Sequence, residues 1–190
     1  MSLPVITVVS GLPRSGTSMM MRMLESGGMT VLTDEERTAD DDNPKGYFEF
    51  ERVKKLKNDK EWLPLAVGKV VKVISFLLPE LLPEYQYKIV FIHRNLNEVL
   101  ASQRQMLIRR GESTDKVSDD RMLELYQKHL KQIRHWLSEQ PNVDVLFVNH
   151  HEVIAEPGKI ANEVNQFLGY ALDSKKMATV VDPNLHRQRA

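Results

Sequence analysis

Val9-Ser10-Gly11-Leu12-Pro13-Arg14-Ser15-Gly16-Thr17-Ser18 holds two glycines five positions apart, an arginine between them, and hydroxyls on both sides of the second glycine. Ahead of it, the β-branched run Pro4–Ser10 (PVITVVS) reads as a short strand; behind it, Thr17–Leu24 reads as a helix that ends before Gly27-Gly28. A Gly-rich turn in that context aims successive backbone N–H groups into one concavity, and the helix start adds roughly half a positive charge. A phosphate or sulfate is held there with little help from side chains. Gly16 lets the backbone approach the anion, and the Thr17 and Ser18 hydroxyls can donate to its oxygens. The spacing from Gly11 to Gly16 fits the nucleotide-binding frame G-x-x-x-x-G, but Thr17 stands where that frame carries lysine. The cation is Arg14, inside the loop. The other reading is a plain strand–turn–helix connection with a capping hydroxyl, which requires neither Arg14 nor the central glycine.

Beyond this loop, strand and helix patterns alternate. Lys69–Ile74, Tyr87–His93 and Val143–Val148 are further strand runs, each bounded by polar or Pro/Gly residues. Helical patterns fill Leu96 to about Arg110, Ser118 to about Glu139, and Pro157–Leu168, the last closed by Gly169. Strands apolar on both faces and separated by helices predict an α/β fold: a P-loop-type three-layer sandwich with a central parallel sheet flanked by helices. The irregular stretches Thr33–Lys45 and Gly111–Lys116 read as loops, and no repeat interrupts the pattern, so one domain over residues 1–190 is expected.

The bulk composition narrows the chemistry. Twenty-six basic and 26 acidic side chains cancel, so no global field draws nucleic acid or an anionic membrane, and any anion site is local. The chain has no cysteine, which excludes disulfides and thiolate catalysis. The apolar start Leu3–Val9 is short, lacks a basic lead and reads as a strand rather than a leader, so a cytoplasmic protein is expected.

Pro13-Arg14-Ser15-Gly16-Thr17-Ser18 after a strand resembles the 5′-phosphosulfate loop of sulfotransferases that use 3′-phosphoadenosine 5′-phosphosulfate (PAPS), a family in which Lys or Arg occupies the place of Arg14. The resemblance extends further. Ile92-His93-Arg94-Asn95 and Ser102 repeat the family's pairing of a strand-end arginine with a serine eight positions on, which together bind the 3′-phosphate. Locally, Ser102 shares a helical face with Val99 and Met106, and an inward hydroxyl needs a partner. Read alone, the pair could be a surface arginine and a serine bonded to its own helix.

Lys69–Pro83 (KVVKVISFLLPELLP) is similar to the family stretch with a K-T-H-L-P core, which puts Lys72 on the lysine that stabilises charge on the transferring group. A lysine among Val70, Val71, Val73 and Ile74 must reach an anion or extend to solvent. Phe147–Gly169 resembles the family's Y-E-D-L…FLG segment, with His150 where a tyrosine lies near the adenine; a solvent-facing pair His150-His151 is the competing reading. Asn43–Glu49 resembles a segment of small bacterial sulfotransferase-like proteins.

The resemblance implies a sulfotransferase that moves the sulfuryl group from PAPS to a hydroxyl or amine of a small molecule, without a metal. It implies catalytic roles for Arg14, Lys72 and Glu49, and donor binding by Arg14, Ser15, Gly16, Thr17, Ser18, Arg94, Ser102 and His150. Three departures qualify it. Ile74 occupies the place of the general-base histidine of the cytosolic branch, which leaves Glu49, Glu51 and His93 as candidate bases. Met19 replaces an aromatic after the loop, and the C-terminal R-K-G motif is missing, with Arg187 or Arg189 as substitutes for its charge. Two alternatives stay open. A P-loop kinase or NTPase needs the loop lysine and an acid at a strand end; a non-catalytic PAPS- or nucleotide-binding protein would need neither base nor acceptor. The acceptor and the oligomeric state are not legible.

Overall fold

The computed structural model describes residues 3–34, 46–114, 117–169 and 171–182. Four strands, β1 (Val5–Gly11), β2 (Val70–Lys72), β3 (Gln86–His93) and β4 (Val143–Asn149), form one sheet in the order β2-β1-β3-β4, and every pairing is parallel. Among the described residues, six α-helices accompany them: α1 (Thr17–Ser26), α2 (Leu96–Arg109), α3 (Asp119–Glu139), α4 (His150–Ala155), α5 (Pro157–Leu168) and α6 (Ser174–Thr179).

The central strands β1 and β3 are mostly apolar because both of their faces are covered, whereas the edge strand β4 leaves Asp144, Phe147 and Asn149 exposed. On one face, Ile6, Val8, Val71, Ile89 and Phe91 pack with Trp62, Leu78 and the α3 residues Ile133 and Leu137. On the other, Val9, Val70, Val90, Ile92 and Val148 meet Met20, Met21 and Leu24 of α1, Ile160 and Val164 of α5, and Met177 of α6. This is the three-layer α/β arrangement that the alternation of runs predicts. Local signals are also met. The Asn95 side chain accepts from the N–H groups of Asn97 and Glu98 at the start of α2, and Gly169 closes α5 at φ 103°.

The differences are instructive. β2 is only three residues long and stops at Lys72, so Val73 and Ile74 lie past it. The stretch before it contains short 3-10 turns, Glu51–Lys55 and Leu63–Ala66, and another, Ser75–Glu80, follows. Short 3-10 turns bury single residues such as Val53 and Leu78 without a 3.6-residue stripe, which is why the sequence pattern misses them. The short helices α4 and α6 escape for the same reason. The expected loop Thr33–Lys45 and the residues Asn43, Arg187 and Arg189 lie wholly or partly outside the described residues.

Placement of the site follows from topology. After β1 the chain passes to the face holding α1, whereas after β3 it passes through α2 to the opposite face and α3. The crevice between the C-terminal ends of β1 and β3 is therefore a switch point, where ligands of open α/β sheets collect.

Candidate functional site

At the end of β1 the chain turns sharply: the Ser15 N–H donates to the Leu12 carbonyl at 3.2 Å, and Arg14 adopts φ 69°, uncommon for a non-glycine residue. Backbone held in that region is stored strain of the kind found at ligand clamps. Two glycines make the turn feasible. A Cβ on Gly11 would lie 2.7 Å from the Ile92 carbonyl oxygen, and one on Gly16 (φ 102°) would lie 2.5 Å from Cδ2 of His150. α1 then begins at Gly16 with no side-chain cap, so its first-turn N–H groups have no protein acceptor of that kind. Among the described residues, the buried Ser15 hydroxyl makes no hydrogen bond. An uncapped helix start beside an orphaned buried hydroxyl is a cradle suited to an anion's oxygens.

The predicted second anion site adjoins this loop. Arg14 Nε donates to Ser102 Oγ at 2.9 Å, and Arg94 Nη1 donates to the Arg14 carbonyl oxygen at 3.1 Å. Arg94 and Ser102, eight residues apart in sequence, thus meet the same loop residue. The Arg94 guanidinium is fixed from behind by Glu98, whose Oε2 accepts from Nε at 2.8 Å one helical turn along α2. Glu98 was not among the predicted site residues; its position four after an arginine is the signal that could have found it.

Lys72 reaches the loop from the other side. Its side chain is 9% exposed, so it is not a surface lysine. Nζ lies 3.4 Å from Ser18 Oγ and 3.7 Å from Glu49 Oε1, and it also donates to the Tyr47 carbonyl. Glu49 sits in extended chain before the 3-10 turn rather than on a helix, with Lys54 Nζ 3.4 Å from its Oε2. Its own carbonyl accepts from the Thr33 hydroxyl at 2.8 Å, tying residues 46–50 to the end of the preceding segment. The carboxylate therefore lies between two lysines at the loop's edge.

The other two candidate bases are elsewhere engaged. Glu51 pairs with Lys54 in an exposed contact. His93 turns toward α3 and β4: its Nε2 is 3.0 Å from Arg134 Nη2 and its ring stacks on Phe147 at 5.3 Å. Burial, and then the Arg134 charge, hold its pKa below the ordinary imidazole value. His150 is buried against Gly16 at the start of α4, so the solvent-facing reading does not hold for it, while His151 is exposed. A pair the sequence did not suggest lies at the Lys72 edge: Ser75 Oγ and His129 Nε2 are 2.8 Å apart.

Comparison with known proteins gives a consistent picture. The family model described as "Sulfotransferase domain" matches residues 6–184. A comparison with curated proteins returns no match. Among solved structures, a sulfotransferase from Mycobacterium tuberculosis superimposes with a TM-score of 0.60 at 16% identity, covering 94% of this chain and 71% of that one. A mouse sulfotransferase complexed with PAP gives 0.55 at 18% identity, covering 94% of this chain and 62% of its own. A sulfotransferase from Alicyclobacillus acidocaldarius gives 0.52 at 15%, over 97% and 89%. Likeness at these identities speaks for the fold alone. No described helix is long and apolar enough to cross a membrane.

Proposed function

The chain belongs to the sulfotransferase family, and from that premise we propose that it transfers the sulfuryl group of PAPS to a small-molecule hydroxyl or amine. In this reading residues 1–190 act as one cytoplasmic domain. The observation that carries the donor assignment is the contact of Arg94 Nη1 with the Arg14 carbonyl, together with Arg14 Nε on Ser102. These contacts make the phosphate loop and the predicted 3′-phosphate site two ends of one surface. The orphaned Ser15 hydroxyl and the uncapped start of α1 support the fit of the donor's anionic groups.

PAPS supplies the activated sulfuryl group; the chain supplies position and charge. Ser15, Gly16, Thr17 and Ser18 bind the 5′-phosphosulfate, Arg94 and Ser102 the 3′-phosphate, and His150, packed on Gly16, borders the nucleoside. Arg14 and Lys72 hold the negative charge that the departing phosphate oxygen acquires as its bond to sulfur breaks. Glu49, 3.7 Å from Lys72, receives the proton that the acceptor gives up as its own bond to sulfur forms. Held in line, the reacting groups need little further help, since positioning alone can supply a large share of such a barrier. None of these steps calls on a metal.

The test is calorimetry followed by turnover. Adenosine 3′,5′-bisphosphate should bind tightly in chelator, and Mg-ATP should not compete. Labelled sulfate should pass from PAPS to a member of an acceptor panel, and Glu49→Gln should slow that transfer by roughly a hundredfold with bisphosphate affinity preserved. Binding that depends on Mg-ATP would point to a kinase instead. Tight bisphosphate binding with no transfer to any hydroxyl or amine would leave a binding protein.

A further inference from the structure

A backbone oxygen lies among the side chains of the transfer site. The Tyr47 carbonyl accepts from Ser18 Oγ at 3.3 Å and from Lys72 Nζ, the groups proposed to meet the phosphosulfate and the departing oxygen. A carbonyl and an incoming sulfuryl oxygen compete for those donors, because both present lone pairs. The next residue is strained in a way that bears on this conflict. Phe48 stands at φ 52°, and Arg14 is the one other non-glycine residue at positive φ among the described residues. For a bulky side chain that region is a genuine outlier. The peptide joining Tyr47 to Phe48 is held on either side rather than in its own plane. The Tyr47 side chain is buried, Arg22 lies 5.7 Å over the Phe48 ring, and the Glu49 carbonyl accepts from the Thr33 hydroxyl at 2.8 Å. Gly46, at φ 92°, has no atom within 4 Å of where a Cβ would stand, so the chain has room there. The Phe48 N–H meets no acceptor among the described residues.

We infer that the Tyr47–Phe48 peptide is a switch within the transfer site: it turns over when the donor's anionic end arrives, withdrawing its carbonyl and presenting the Phe48 N–H instead. The inference rests on the roles proposed for Ser18 and Lys72. Turning one peptide plane changes only ψ of Tyr47 and φ of Phe48, so the side chains on either side keep their places. A half turn carries Phe48 from φ 52° into the extended region that any residue adopts, which releases the strain. Three effects then favour the turned peptide. The Lys72 ammonium gains more from a charged oxygen than from a neutral carbonyl. The backbone relaxes, and an N–H that had no acceptor is aimed at the oxygens of the transferring group. When no anion competes, the hydrogen bonds from Ser18 and Lys72 hold the carbonyl inward and offset the strain. Glu49 stays in position throughout, because the Thr33 hydroxyl fixes the backbone behind it. The Phe48 N–H is thus a positioning group for transfer, and it takes no part in the proton movement assigned to Glu49.

The experiment observes this one peptide by nuclear magnetic resonance. Tyr-Phe occurs once in the chain, so tyrosine labelled with carbonyl carbon-13 and phenylalanine labelled with nitrogen-15 isolate a single amide signal. Adenosine 3′,5′-bisphosphate, which brings a 5′-phosphate to the loop, should move that amide proton downfield as it gains an acceptor. Adenosine 3′-monophosphate, which lacks the 5′ anion, should leave it in place. Affinity then tests the strain. Phe48→Gly abolishes the cost of positive φ, whereas Phe48→Ala removes the same ring and keeps the Cβ that causes the cost. The bisphosphate should therefore bind about fivefold more weakly to the glycine variant than to the alanine variant. Adenosine 3′-monophosphate should bind the two alike, which also reports that they are folded. An unmoved amide, or equal bisphosphate affinities in the two variants, overturns the inference and leaves the Tyr47 carbonyl as a fixed support for Lys72. Failure of the bisphosphate to bind the parent chain overturns the donor reading instead. Inorganic sulfate then decides the switch: a shifted amide keeps it, and a still one overturns it.

Discussion

In the proposed scheme, the donor end and the acceptor end of this molecule are built by different means. The donor end is largely backbone: a ten-residue stretch whose glycines, strained Arg14 and uncapped helix start create the site within one turn of chain. The acceptor end is side chains that meet from afar. Lys72 and Glu49 are 23 positions apart, and Ser75 and His129 are 54 apart. A local device is rigid because its geometry is enforced by sterics, such as the 2.5 Å approach that any Cβ on Gly16 would make to His150. A long-range one is held by a few polar contacts at a partly open edge. The family likeness is correspondingly strong in the loop and weak around the general base, where Ile74 stands in place of histidine.

If the two ends are separable in this way, substitutions should sort into those that change transfer and those that change donor affinity. The largest effect is expected for Lys72→Met. Its side chain is nearly buried and its Nζ lies 3.4 Å from Ser18 Oγ, so removing it should lower the rate of transfer by roughly 10² to 10³. Bisphosphate affinity, measured by calorimetry, should stay within about threefold, a shift under ~0.7 kcal/mol. An equal loss in both would merge the two ends and assign Lys72 to donor binding.

Next comes the converse at the donor end. Arg94→Ala removes two hydrogen bonds of a charged guanidinium, one to the loop carbonyl and one to Glu98. Bisphosphate affinity should fall roughly 30-fold, in line with ~2 kcal/mol for a lost charge-assisted contact. The variant should also be less stable, since Glu98 is left with its carboxylate largely out of water and its countercharge gone. Adding Glu98→Gln to Arg94→Ala should recover stability but not affinity. If affinity returns too, Arg94 acts by holding α2 rather than by meeting phosphate.

The same division governs how much could be read before any coordinates. Gly11 through Ser18, the four strands and the helices α1, α2, α3 and α5 were legible because each is announced by residues close together in the chain: β-branched runs, capping Asn95 and Ser118, closing Gly169. The spacing of Arg94 and Ser102 was legible, and each of them reaches Arg14. What failed was whatever depends on folding back. The contact of Arg94 with Arg14 spans 80 residues, and no periodicity announces it. The pinning of Lys72 by the Tyr47 carbonyl uses a backbone atom, which every residue has. Of the two readings open for His150, burial against Gly16 removes the solvent-facing one, because α4 begins there and His151 alone stays exposed.

The smallest predicted effect separates the ends by pH. His93 faces α3 and His129 lies on it, and both have their imidazole pKa lowered, His93 by burial and then by Arg134, His129 by burial. Around His93 stand Arg134, Phe91 and Phe147; around His129 stand Ser75 and Phe76, the latter tilted against Tyr126. Among these groups no carboxylate is there to reward a proton. A lowered folded-state pKa means that the unfolded chain binds protons first as pH falls, so the stability held above about 6.5, the ordinary imidazole value, is lost progressively below it. The urea midpoint should therefore decline between pH 7 and pH 5. His93→Gln and His129→Gln should each flatten the decline, since neither variant has an imidazole to charge at that position. A midpoint that rises toward pH 5 in the parent chain would mean that a proton on one of the two rings finds a partner, and would overturn the reading of this face as one that rewards no added charge.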